Sequence, residues 1–462
     1  MDKKTEELTG TTPTRVERDW TQGSIFKNLL SLSWPMIVNE FLWGVGSIID
    51  MIWVGKLGSD SIAGVGVAGI IVMLLMSSLF GLITGTMALV ARAVGAGDMA
   101  GANHAAQQAY VVGGVYAVTL SILGIILAEP LMVLFGLEPN VVHEGAIYLR
   151  IQLAGSILMT FWIIGEFIMY ASGDGKTPMK ISIVARGLHL IFAPLLVLGW
   201  GIFPKLGVSG AALANIIAYC GGMILAFWAL FGGKTRLKLT LKNFRVDLAL
   251  IRRTVRIGIP SSVSNIQRSL SNMVLLWLIA PFGTLAVAGH SLCQRIEGIF
   301  FLPGMGLGMA SGTLVGQNLG ARQPERAEKS GWMASGVVTG IMVIGSLAIL
   351  LWAEEIIGIF TSEAELVEMA SIFMRIATAG YLVMGFSSVL MQSISNAGDT
   401  LPPMIFNIVM MWLVQIPLAW ALPKYADMGV LGVRWAIVIG RYVAGLAYIA
   451  YFKLGRWKHK IV

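Results

Sequence analysis

Twelve runs of mostly apolar residues, each long enough to cross a bilayer, occupy almost all of this 462-residue chain. They fall at 28–54, 62–90, 104–128, 145–171, 178–200 and 207–232, then at 250–281, 285–315, 331–353, 366–394, 401–422 and 429–453. Between the sixth and seventh lies a polar stretch, GGKTRLKLTLKNFRVD. A helix needs about 20 apolar residues to span the hydrocarbon core. Backbone in that core must satisfy its own hydrogen bonds, which leaves helices or a closed barrel. The runs are continuous rather than alternating, which argues against a barrel. The expected fold is an all-α membrane protein with twelve transmembrane helices. Charged residues make up only 13% of the chain, against about 25% in a soluble protein.

Where the basic residues fall sets the orientation. Connections after odd-numbered spans hold only Lys56, Lys205 and Lys424. Connections after even-numbered spans hold Arg92, Lys176, Lys180, Arg322, Arg326, Lys329 and the cluster from Lys234 to Arg256. The positive-inside rule then puts both termini in the cytoplasm of a cell-membrane protein. The expected organisation is an N-terminal tail over 1–27, a six-helix bundle over 28–232, a basic linker over 233–249, a second bundle over 250–454 and a basic tail over 455–462. The first tail has no apolar core, so it reads as solvated with a short interfacial helix near Trp20–Leu32 rather than as a signal peptide. The net charge of +8 is a topology signal and a site for anionic lipid, and nucleic acid is excluded as a partner. Cys220 and Cys293 both lie in apolar spans and read as packing residues, not a disulfide.

The two halves repeat. An offset of 225 residues links Pro35 to Pro260, Gly58 to Gly283, Gly64 to Gly289, Gly95 to Gly320, Gly173-Asp174 to Gly398-Asp399 and Pro178 to Pro403. It slips to 222 at Gly207–Gly429 and Gly210–Gly432. Six spans is an even number, so both halves insert the same way round, related by a pseudo-two-fold axis along the membrane normal. Two bundles facing one cleft is a transporter layout. Pro35 and Pro260, inside the first helix of each half, are candidate matched hinges.

Ionisable residues inside the spans are the candidate site. A carboxylate at the membrane centre costs about 2.5–3.5 kcal/mol on insertion scales, so it normally faces a cavity or a partner. Asp50, Glu40, Glu166 and His189 are the candidate ion-coupling residues. Glu40 has a second reading as a structural hydrogen-bonding group, Glu166 as a neutral donor, and His189 as a buried, satisfied histidine. Counted from the cytoplasmic end, Glu40 and His189 fall near mid-membrane, Asp50 nearer the outside and Glu166 nearer the inside. Arg186 shares a helix face with His189. Arg186, Arg268 and Gln294 are candidate substrate-pocket residues. His290, Arg295 and Glu297 read as a structural network between helices. No P-loop, HExxH or GxSxG motif is present, so an intramembrane enzyme is disfavoured and no metal site is expected.

IIDMIWVGKLGSDSIAGVGVAG in the first two spans, LVARAVGAGD and its partner LVGQNLGARQ, and ASGDGKTPM with NAGDTLPPM resemble the motifs of the multidrug and toxic compound extrusion (MATE) family of the polysaccharide-exporter/flippase superfamily. The resemblance runs from about Ile25 to about Leu454. It implies proton- or sodium-coupled antiport of organic, often cationic, compounds, with Asp50 at the position of the family's coupling acid. One branch carries an Asn-x-x-x-Asp-Pro pattern in span 5; here His189 and Ala193 stand in place of its Asn and Asp. Another carries a Glu in span 7, where Arg268 stands here, and Glu166 takes a span 4 position often held by Asn. The resulting expectation is a monomeric secondary antiporter working by alternating access. It would need no cofactor beyond the coupling ion, H+ or Na+, and its partners would be small organic substrates and membrane lipids. A lipid-linked oligosaccharide flippase of the same superfamily, with Arg186, Arg268 and Arg295 in a cationic cleft, is the alternative.

Overall fold

The computed structural model describes residues 19–460. Residues 1–18, most of the expected N-terminal tail, lie outside that range, as do the last two. Among the described residues there is no strand. The first half runs through α1 (Ile25–Val54), α2 (Ser59–Gly95), α3 (Met99–Val133), α4 (Pro139–Ala154), α5 (Ser156–Ser172), α6 (Lys176–Leu198) and α7 (Val208–Phe231). The second runs through α8 (Leu248–Ile279), α9 (Thr284–Gly320), α10 (Pro324–Gly358), α11 (Ala364–Asn396), α12 (Leu401–Ile408), α13 (Ile416–Tyr425) and α14 (Gly429–Leu454). Helices α4 and α5 meet at a 51° bend and form one broken span. A π-helical stretch, Val409–Gln415, joins α12 to α13. Each half therefore holds six spans. Among the described residues, ten are apolar enough by length and composition to cross a membrane, and the bent pair makes an eleventh. Helix α8 is long enough at 32 residues, but Arg252, Arg253, Arg256 and Arg268 lower its apolar character.

The repeat is visible in the helices. The fourth span breaks at Gly155 in the first half, while its counterpart α11 runs unbroken through Gly380. The 225-to-222 slip falls where the fifth and sixth spans connect. That connection is residues 199–207 in the first half and only 426–428 in the second. Helices α1 and α8 continue through Pro35 and Pro260. Besides the break at Gly155, non-helical backbone inside a span falls at Trp352 of α10.

One expectation fails near the start. Trp20–Leu32 is not a separate interfacial helix. Ser24 caps α1, its hydroxyl accepting from the Lys27 N–H at 3.5 Å, and the helix runs on from Ile25 into the first span. Trp20 is buried against Gly173, because the indole finds an apolar seat within the bundle. The basic linker is likewise strapped to α3. Gln107 donates to the Thr240 carbonyl at 2.5 Å and Gln108 to the Arg245 carbonyl at 2.8 Å. Asp247 caps α8, and the Leu250 N–H, with His104 alongside, holds its carboxyl below the usual range.

The halves meet through α1 and α2 of one and α8 and α9 of the other. Small residues allow the approach. A methyl group at Gly306 would lie 2.7 Å from the Ile37 nitrogen, one at Gly258 would lie 2.8 Å from the Gly81 carbonyl oxygen, and one at Gly316 would lie 2.8 Å from the Ala91 Cβ. Arg92 spans the same seam, donating to the carbonyls of Ala397 at 2.8 Å and Lys460 at 2.7 Å. These contacts lie in the half of the bundle nearest the termini. Toward the other end, Ile70 of α2 and Met273 of α8, three turns along the faces that carry Gly81 and Ser262, are exposed, so the lobes part in that direction. Gly95→Ala, whose new methyl would press on the Gln317 backbone, should destabilise the protein by about 1–3 kcal/mol. Gly66→Ala, which points into open space, should leave the melting temperature of the purified protein unchanged.

Candidate functional site

Asp50 lies on the buried face of α1, and three helices supply donors to it. His189 Nε2 on α6 is 3.0 Å from Oδ1. The Tyr148 hydroxyl on α4 donates to Oδ2 at 3.2 Å, and Asn215 Nδ2 on α7 donates to the same oxygen at 2.9 Å. Gln152, one turn beyond Tyr148, donates to the Tyr148 oxygen at 2.9 Å and fixes the direction of its O–H. All five side chains are buried. His189 Nδ1 has no partner. Ile49, Ala193, Leu196 and Ala214 pack around the group. The result is a single carboxylate held by polar donors in an apolar setting, which suits reversible neutralisation by a cation.

A second polar group lies nearby in the same lobe. Ser182 donates to Glu166 Oε1 at 2.6 Å, and the Trp43 side chain lies beside the same buried carboxylate. Glu40 and Arg186 are within electrostatic reach of that carboxylate. Trp43 and Trp162 stack with ring centres 5.0 Å apart. The Arg186 guanidinium carbon sits 4.7 Å over the Trp43 ring and 5.8 Å from that of Trp162. Gly46 makes room for it; a methyl there would lie 2.5 Å from the nearer terminal nitrogen. The four candidate coupling residues thus divide into two pairs, Asp50 with His189 and Glu40 with Glu166, and Arg186 stands between them. Counting depth along the spans separates Asp50 from His189; the structure brings them into hydrogen-bond contact.

Arg268 and Gln294 lie in the other lobe, exposed, on α8 and α9. Arg268 donates to Asn265 at 3.2 Å. The buried polar centre of that lobe is instead built on Glu297. One carboxylate oxygen accepts from Arg434 at 3.0 Å and the other from Arg441 at 2.7 Å. Arg434 also donates to His290 Nδ1 at 3.1 Å. Glu297 and His290 thus join a network between helices, as read from the sequence, while Arg295 is exposed. Tyr148, Asn215, Trp43, Arg434 and Arg441 are absent from the candidates drawn from the sequence. Among the described residues, no three His, Cys, Asp or Glu side chains converge as a metal-ligand set.

The MatE family model matches residues 35–195 and 260–421. The chain belongs to the MatE family. The two matched segments begin at Pro35 and Pro260, the same pair that opens the internal repeat. Among curated relatives, a probable multidrug resistance protein, YoeA of Bacillus subtilis, is 26% identical over 444 residues, covering 95% of each chain. A probable multidrug resistance protein NorM of Thermotoga maritima is 24% identical, covering 95% of this chain and 94% of its own. A solved structure described as the outward-facing conformation of a multidrug resistance MATE family transporter superposes with a TM-score of 0.88 at 24% identity, covering 96% of this chain and 98% of that one. This MatE protein is therefore a membrane transporter with the two-lobed, all-helical fold of that family.

Proposed function

We propose that this protein is a secondary active exporter that exchanges protons or sodium ions for small organic, often cationic, compounds by alternating access. The observation that carries the reading is Asp50, a lone carboxylate enclosed by His189, Tyr148 and Asn215 from three other helices. Burying such a group in the membrane is expensive, so its presence there marks a functional site. The names of YoeA and NorM as probable multidrug resistance proteins support organic compounds as cargo. The lysine and arginine asymmetry supports a cell-membrane location with both termini cytoplasmic. With that orientation, lobes that part away from the termini open outward. The coupling ion enters there and neutralises Asp50, cargo leaves, and the lobes rock about their shared seam to reopen inward.

Proteoliposomes test the reading directly. With a pH gradient and a sodium gradient imposed separately, one of them should drive accumulation of ethidium against its own gradient. Ethidium movement indifferent to both gradients would reject ion coupling.

A further inference from the structure

Among the described residues, Arg186 is a buried cation with no committed anion. It is 6% exposed, yet it makes no ion pair with either nearby carboxylate, and its Nε has no hydrogen-bond partner. It rests instead on two stacked indoles, Trp43 and Trp162. The groups facing it are Glu166 on α5, Asp50 on α1, Tyr219 on α7 and, on its own helix, His189. Glu40 acts on Glu166 from α1. A stacked indole pair flanked by carboxylates is the kind of surface that holds an organic cation. The Glu166 carboxylate, with the Trp43 side chain beside it, adds a buried acceptor. Trp43 and Glu40 are half-buried, so the seat has an accessible side at α1.

We infer that Trp43, Trp162, Glu166 and Glu40 form the seat for the charged group of an organic monocation, and that Arg186 is a tethered occupant of that seat. The inference rests on the antiport reading and adds the means of exchange. Asp50 Oδ1 has one hydrogen-bond partner and Oδ2 two, and a carboxylate can accept about four. Room therefore remains at Asp50 for a guanidinium N–H. With Asp50 neutral, Arg186 lies on the indoles as in the structure; with Asp50 ionised, it is drawn off them toward Asp50, and the seat is free for cargo. When the coupling ion neutralises Asp50, that pull is lost, Arg186 returns to the indoles and the cargo is displaced. A single cation, on either side of one helix turn, makes occupancy by ion and by cargo mutually exclusive.

Ethidium binding to the purified full-length protein, followed by fluorescence anisotropy, tests this. In wild type, binding should weaken about ten-fold when the coupling ion saturates Asp50, an ordinary size for coupled sites. Arg186→Gln should bind tightly in both conditions. Asp50→Asn should bind weakly throughout, and the double variant Asp50→Asn/Arg186→Gln should regain tight binding. A double variant as weak as Asp50→Asn alone, or Arg186→Gln that keeps the wild-type ion dependence, would overturn the tethered-cation role while leaving antiport intact, provided wild-type protein still exports ethidium. Wild-type protein that neither binds nor exports ethidium would remove the organic-cation reading itself.

Discussion

Asp50→Asn should reduce ion-driven transport in proteoliposomes to the level of empty vesicles while the protein still expresses and folds. Asn keeps the shape of Asp and one carbonyl oxygen, so the contact with His189 can persist. Its amide group, however, faces Asn215 Nδ2 and the Tyr148 hydroxyl, both donors to the carboxylate oxygen that stood there. The loss of each hydrogen bond costs about 1 kcal/mol. Removing a desolvated charge from the lobe acts in the opposite direction, so stability should change little. What disappears is the ability to change charge state on binding a cation. His189→Gln and Glu166→Gln should give partial losses, since each leaves Asp50 ionisable. Purified Asp50→Asn that still exchanges cargo against an imposed gradient at near wild-type rate would move the coupling site to Glu40 or Glu166.

The architecture was legible in the sequence for a physical reason. A span must be apolar along its length, and a lobe seam needs small residues, so the twelve runs and the Gly and Pro pairs 225 apart carry the fold openly. The same pairs mark the seam itself: Gly95 packs on Gln317 and Gly320 on Arg92. Asp50, Glu166, His189 and Arg186 stood out because ionisable groups are rare inside spans. Their partners did not. Tyr148 and Gln152 are unremarkable residue types in an amphipathic stretch, and only their i, i+4 spacing hints at a shared face. Asn215 is one amide in the run Ala-Ala-Leu-Ala-Asn-Ile-Ile. The division into two pairs was out of reach, because it depends on how far α6 slides along α1, and no periodicity encodes that. Arg434 and Arg441 did carry a signal: two intramembrane arginines seven residues apart lie two turns apart on one helix face. The acid that satisfies them sits more than a hundred residues earlier, on α9.

The two lobes treat their buried charges differently, and that difference yields the other large expected effect. In the first lobe, Arg186 Nε is left without a hydrogen-bond partner, as suits a group that changes partners. In the second, both oxygens of Glu297 are taken by arginines, and Arg434 is further tied to the Phe373 carbonyl at 3.3 Å. This clamp joins α9, α11 and α14 and has no obvious charge to move. Glu297→Ala should therefore act on folding: it strands two buried guanidinium groups, and breaking a buried pair from one side costs about 3–5 kcal/mol. The measurement is the yield and melting temperature of detergent-purified protein. Replacing the whole clamp at once, Glu297→Met with Arg434→Leu and Arg441→Met, removes every charge together and should recover most of that loss, because apolar residues of similar volume commonly substitute for a buried ion network without penalty. The triple variant should also retain ion-driven export if the clamp is only a scaffold. Glu297→Gln is the discriminating case. If it purifies with wild-type stability yet no longer couples export to an ion gradient, the second lobe holds a coupling carboxylate of its own, and Asp50 shares that role.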